Sequence, residues 1–216
     1  MLHPVTVKHK QQKGATMDNV DLKGCVRISD ILKRLHSYGD VDEEVLRAKA
    51  AIGTDVHKAI VDDCEGNFVA METDRARAYF ESYKRAYKNP VITQVPRLYC
   101  FDLMITGECD GLMDSNILVD WKCSASPNLK IWNMQAHFYW YLLRQNGYSI
   151  SDSMFWVNLR HSKFVRKANN SNLGYHIYTA QDPVIYEFKF DENVLSQCID
   201  EAVKYWEEYN SAKDVE

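Results

Sequence analysis

Apolar positions change their spacing several times along the chain, and each change marks an element. Over residues 42–64, Val45, Leu46, Ala50, Ile52, Val56, Ala59 and Ile60 recur at helical spacing and predict a long helix. Gly53 lies inside it, where glycine costs about 0.5–1 kcal/mol relative to alanine. Close packing, or something approaching the backbone, would offset that cost. A shorter helix is expected before it, capped by Ser29 or Asp30, running through Leu35 and closed by Tyr38-Gly39-Asp40. A third helix covers residues 73–88 and ends before Asn89-Pro90. The period then shortens. Residues 91–100, 104–113 and 117–123 read as three strands joined by turns at Phe101-Asp102 and Asp114-Ser115-Asn116.

A helix over residues 128–145, stopped by Asn146-Gly147, follows these strands. Residues 154–159 form a further strand, after which a basic, asparagine-rich loop runs to Gly174. Residues 175–179 and 184–190 suggest a hairpin around Asp182-Pro183, and an acidic amphipathic helix over 193–209 closes the fold. This order is α/β, with a central mixed sheet flanked by helices. Residues 1–28 are expected to form an arm or an edge strand, and residues 29–216 a single domain without internal repeats.

Composition narrows the class. A chain of 216 residues, 46% hydrophobic, can bury a substantial core. It has no apolar run of about 18 residues and no apolar signal core near its start, so no membrane span and a cytoplasmic location are expected. The cysteines at 25, 64, 100, 109, 123 and 198 contain no Cys-x-x-Cys pair and read as reduced, mostly buried thiols. A formal charge of -4 does not nominate a polyanion binder. Arg160, Lys163, Arg166 and Lys167 nevertheless form a run without an acid, either an ordinary solvated loop or a local patch that holds phosphates.

The sharpest chemistry is Gly107-Glu108-Cys109-Asp110-Gly111 followed by Asp120-Trp121-Lys122. Alternate side chains of a strand share a face, so Asp120 and Lys122 project together while Trp121 and Cys123 point the other way. The turn at 114–116 brings Asp110 near Asp120. Two neighbouring carboxylates repel unless one is protonated or a cation sits between them. Magnesium accepts such hard oxygen ligands, and a lysine one side-chain step away can orient water and stabilise charge on a phosphoryl group. Taken alone, the Asp-x-Lys tripeptide reads more readily as an exposed strand ion pair than as a site. His57, one turn after Gly53, is either a further ligand or a satisfied helix histidine. Gln135 and Tyr139 share a helix face, where they can meet phosphate, an acidic ligand or a base, or simply pack.

Gly53 to His57, Gly107 to Asp110, Asp120 to Lys122 and Gln135 to Tyr139 together resemble the RecB-like branch of the PD-(D/E)xK nucleases, especially phage-type recombination exonucleases. The resemblance covers residues 29–139. It implies a restriction-endonuclease-like core with Mg2+, or Mn2+ in its place, held by Asp110, Asp120, His57 and the backbone carbonyl of Trp121. Lys122 then positions water, and Gln135 and Tyr139 support the site or its DNA. Many relatives carry a glutamate where this chain has Gln94, so Gln94 is expected to contact substrate rather than metal. The clustered carboxyl-terminal cysteines of iron-sulfur relatives are absent here.

The function implied is a metal-dependent DNA exonuclease of phage or prophage recombination and replication, working in the host cytoplasm with a single-strand annealing protein, as a monomer or homo-oligomer. Arg160, Lys163, Arg166 and Lys167 would line the DNA cleft. An endonuclease of the same fold and a catalytically inactive DNA-binding assembly component are the alternatives. A soluble α/β domain whose carboxylates merely stabilise strands is a third. No glycine-rich Walker loop is present, so cleavage would not consume ATP in this chain.

Overall fold

Four of the helices start at side chains that satisfy the free N–H groups of a helix end, the last of them at Asp191, which accepts the Asn193 N–H. Asp42 accepts from the Glu44 N–H at the head of α2 (Glu43–Cys64), Thr73 from Ala76 N–H at α3 (Asp74–Ala86), and Asn128 from Ile131 N–H at α4 (Leu129–Gln145). α4 stops at Asn146-Gly147, where Gly147 takes a positive φ of 85°. α1 (Ile28–Arg34) starts earlier than expected: Arg27 occupies the cap position without a side-chain bond, which puts Ser29 and Asp30 inside the first turn. α5 (Glu192–Lys213) extends beyond the expected bounds. The computed structural model describes residues 21, 23–35, 42–87, 91–167 and 174–213. Most of the expected amino-terminal arm, the closing turn at 38–40, the Asn89-Pro90 stop and the asparagine-rich stretch 168–173 lie outside the described residues.

The architecture is mixed α/β, with mixed sheets flanked by helices, and its strands divide between two sheets. β1 (Val26–Arg27), β4 (Ile105–Gly107) and β3 (Leu98–Cys100) form one, in the order β1-β4-β3. β2 (Ile92–Thr93), β5 (Gly111–Met113), β6 (Ile117–Lys122), β7 (Ser153–Lys167) and β8 (Gly174–Lys189) form the other in sequence order. The single strand expected over 104–113 is therefore two, cut at residues 108–110, and its halves join different sheets. The strand expected over 91–100 is divided in the same way. Close packing accompanies the cut. A side chain at Gly107 would meet Tyr139 and Ile28, and one at Gly111 would meet Ile92 and the Thr93 carbonyl.

β5 and β6 form the expected hairpin, with Met113 opposite Ile117 and both Asp114 and Ser115 at positive φ. β6 runs parallel to β7, and the last pair in that register is Lys122 with Asn158. β7 does not end near 159. It continues through the basic run to Lys167, paired antiparallel with β8. Asp182-Pro183 is correspondingly not a turn. The two residues lie opposite Leu159 as an irregularity within β8, which suits a proline that has no ladder N–H to give.

Alternation along the larger sheet supplies two cores. Leu118 and Trp156 face α4 and α5, against Phe138, Leu142 and Cys198. Val119, Trp121, Val157 and Leu159 face α2 and α3, against Val56, Ile60, Tyr79 and Tyr83. All six cysteines are free. Among the described residues no helix is long and apolar enough to cross a membrane.

Candidate active site

The break at residues 108–110 releases Asp110 from strand pairing. Its Oδ2 accepts the Trp121 backbone N–H at 2.6 Å, a donor that a longer β5 would otherwise have met. Its Oδ1 lies 3.2 Å from His57 Nδ1. The other ring nitrogen, Nε2, donates to the Trp121 carbonyl oxygen at 2.7 Å. His57 therefore ties α2 to both the break and the end of β6. Burial lowers the basicity of this imidazole, but the charge and hydrogen bond of Asp110 outweigh it and raise the pKa to about 9.

Asp120 and Lys122 project from the same face of β6, as alternation requires. Lys122 Nζ lies 2.5 Å from Asp120 Oδ1, and the approach is an ion pair without the alignment of a hydrogen bond. The Asp120 side chain is only 2% exposed. Burial, followed by the Asp110 charge, raises its pKa to about 6 against the opposing pull of Lys122. Asp110 moves the other way. Burial would raise it, but His57, Lys122 and the Trp121 N–H together hold it below the ordinary carboxylate range. Two adjacent carboxylates thus differ in proton affinity because His57 and the Trp121 N–H favour Asp110, while Asp120 has only Lys122 against its burial.

Asp110, Asp120, Lys122, His57 and the Trp121 carbonyl, each singled out from sequence, are brought together. Gln135 and Tyr139 approach from α4, and Gln135 Nε2 donates to the Tyr139 hydroxyl at 3.2 Å. Tyr139 is buried, and its phenol pKa is raised well above the ordinary value by burial and then by the Asp120 charge. Its ring lies against Gly107, so bracing the site, rather than stacking a base, is the role its position permits. Gln94 joins His57, Asp110, Thr54 and Lys58 around a cavity of about 420 Å³.

The basic run is different. Because it is a strand and not a loop, Arg160 and Arg166 share one face while Lys163 falls on the other. Arg160 lines a second cavity, of about 410 Å³ beyond the end of β6, together with Arg75, Tyr79, Asn158 and His161. Sequence reading passed over Arg75, Asn158 and His161. No local spacing joins Arg75 to His161, which lie 86 positions apart.

Among the described residues, no three His, Cys, Asp or Glu side chains form a ready-made cage for a cation. The donors here are two carboxylates and a backbone carbonyl, a hard-oxygen set. Asp120 Oδ1 is buried and faces the Lys122 ammonium, an anionic oxygen in a place that a second cation could share. The donor set therefore suits a partial shell for a small divalent ion, with water supplying the remainder.

No protein-family model and no curated protein matches the chain. Among solved structures, an alkaline exonuclease (LHK-Exo) from Laribacter hongkongensis is similar, with 12% identity and a TM-score of 0.44 over 89% of this chain and 91% of that one. LHK-Exo in complex with dAMP is similar with 12% identity and a TM-score of 0.40, over 88% and 90% of the respective chains.

Proposed function

We propose that this chain is a divalent-metal-dependent deoxyribonuclease with a restriction-endonuclease-like core, acting as an exonuclease. The observation that carries the reading is the buried Asp120 paired with a half-buried Lys122, set beside an Asp110 carboxylate that is fixed by the Trp121 N–H and His57. An ion pair that only stabilised strands would gain little from a second, half-buried carboxylate, whose repulsion adds to burial in raising the Asp120 pKa.

Asp110, Asp120 and the Trp121 carbonyl would hold Mg2+ or Mn2+, which when bound supplies charge neutralisation at the scissile phosphate. Hydrolysis adds the oxygen of a water to phosphorus, breaks one bridging P–O bond and leaves the proton of that water on the departing oxygen. Lys122 contributes by donating N–H groups to the incoming water and to a non-bridging phosphoryl oxygen, where negative charge grows. Asp120 keeps the lysine head on this face of β6. His57 fixes the direction of the Trp121 carbonyl and of Asp110, while the Gln135–Tyr139 pair braces the site from α4. Gln94 can hydrogen-bond the nucleic acid from the cavity wall.

The test is a panel of divalent metals against end-labelled linear DNA, with 5′-blocked, 3′-blocked and covalently closed DNAs beside it and Asp120→Ala as the control. Metal-dependent release of product from linear DNA, sparing of the closed circle and loss of cleavage in the folded variant are expected. Activity in Asp120→Ala above about one per cent of the parent would remove the assignment, since such groups contribute factors of about 10² or more. Cleavage of the closed circle would instead make the enzyme an endonuclease.

A further inference from the structure

β6 ends at Lys122, so among the described residues β7 has no strand on that side from Leu159 onward. The open edge is walled by the 124–127 loop, where Ser124 N–H donates to Asn158 Oδ1, and by α3, whose Ser82 hydroxyl accepts the Arg160 N–H. The 410 Å³ cavity sits here.

Its charge is unbalanced. Arg75 is half-buried, and its Nε donates to His161 Nε2 at 3.1 Å. Accepting that bond requires an unprotonated Nε2, so His161 is neutral and carries its hydrogen on Nδ1. The His161 ring is held in turn by Tyr79 at 4.5 Å and Tyr178 at 5.1 Å between centroids. The guanidinium, which also lies 5.8 Å from the Tyr79 ring centroid, is therefore oriented by neutral groups that do not cancel its charge. Among the described residues neither Arg75 nor Arg160 forms an ion pair, and no carboxylate lines the cavity. A partly desolvated cation without a counter-charge is costly, and a phosphate is the ligand that matches the planar guanidinium fork.

The position fits a chain that also reaches the acid pair. Lys122 and Asn158 are register partners and share a face, and Arg160 lies two residues further along it, about 6.6 Å away. Combining that rise with one strand spacing puts the Arg160 backbone about 8 Å from that of Lys122, within reach of a phosphate close to the scissile one.

We propose that Arg75 and Arg160 bind a phosphodiester of the nucleic-acid strand that flanks the scissile phosphate, with His161 as the positioning residue for Arg75. Taking nucleic acid as the ligand rests on the function proposed above. The test is fluorescence anisotropy of a short labelled single-stranded deoxyoligonucleotide, titrated in EDTA over a series of salt concentrations. Arg75→Gln and Arg160→Gln should each weaken binding about tenfold and flatten the log–log salt dependence by about 0.7, the contribution of one phosphate contact on a single strand. Arg75→Lys keeps the charge without the fork and should fall between parent and Arg75→Gln. Arg160 is exposed, so its variant reads the site even if Arg75→Gln fails to fold.

Parental affinity and slope in folded variants would overturn the inference, and DNA cleavage by the parent in the metal panel would then leave the nuclease reading standing. A parent that binds the oligonucleotide through these arginines but cleaves no DNA reverses that outcome. A parent that binds no oligonucleotide overturns the inference outright.

Discussion

His57 Nε2 donates to the carbonyl oxygen of Trp121 at 2.7 Å while its Nδ1 faces Asp110, so one protonated ring joins α2 to the acid pair. Its pKa is raised from 6.5 to about 9, which gives the linkage a definite sign. The stabilisation is fully present below about pH 6.5 and is lost as pH rises through about 9. The lowered pKa of Asp110 bounds the window from below, because its contribution fades as acid protonates the carboxylate. His57→Gln should therefore lower the urea midpoint most near pH 6 and much less near pH 10. A deficit that is constant or grows with pH would remove the charged pairing.

Lys122 is the group whose loss separates chemistry from binding. It stands 2.5 Å from Asp120 and is 20% exposed. Lys122→Met preserves most of the side-chain length and removes the charge. Single-turnover cleavage should fall about 10²-fold or more, while anisotropy-measured DNA affinity changes little. A variant cleaving within about tenfold of the parent would show that the ammonium only balances Asp120.

What could be read from sequence follows the range of the interactions. Asp120 and Lys122 were legible because strand alternation and the three-residue turn at 114–116 are local. Asp110 was legible as a member of the site but not in its conformation. The Glu108-Cys109-Asp110 segment continues an acceptable strand pattern, and the break reflects tertiary packing at Gly107 and Gly111. The extension of β7 was hidden for a different reason. Beyond His161 the ribbon is exposed on both faces, with Phe164 64% accessible, so no buried face writes an apolar period into residues 162–166. Arg75 and His161 meet only through the fold.

The glycines at the break make a graded prediction about stability. A Cβ at Gly107 would lie 2.8 Å from both Ile28 Cδ1, the end of an aliphatic side chain, and Tyr139 Cε1, but would meet no backbone atom among its nearest neighbours. At Gly111 it would lie 2.6 Å from Ile92 Cγ2 and 3.1 Å from the Thr93 carbonyl oxygen, which belongs to the paired backbone. Alanine at either position should destabilise by about 1–3 kcal/mol, Gly111→Ala more than Gly107→Ala. Urea midpoints measure the order. Gly111→Ala should also impair cleavage, because a displaced β5 carries the neighbouring Asp110 with it.

Gly53 predicts the opposite combination. A Cβ there meets no atom within 4 Å, so packing does not account for a glycine in the middle of α2. Thr54, His57 and Lys58, the residues that follow on this helix, line the 420 Å³ cavity beside Asp110. If the helix lies along the path of the nucleic acid, the missing methyl leaves room for the ligand rather than for the protein. Gly53→Ala should raise the urea midpoint, since alanine gains about 0.5–1 kcal/mol in a helix interior. The same variant should bind and cleave DNA several-fold more weakly, so stability and activity move in opposite directions. A variant that gains stability and keeps parental affinity would place the nucleic acid away from this face of α2, leaving only the cavity floor at His57 and Asp110 for contact.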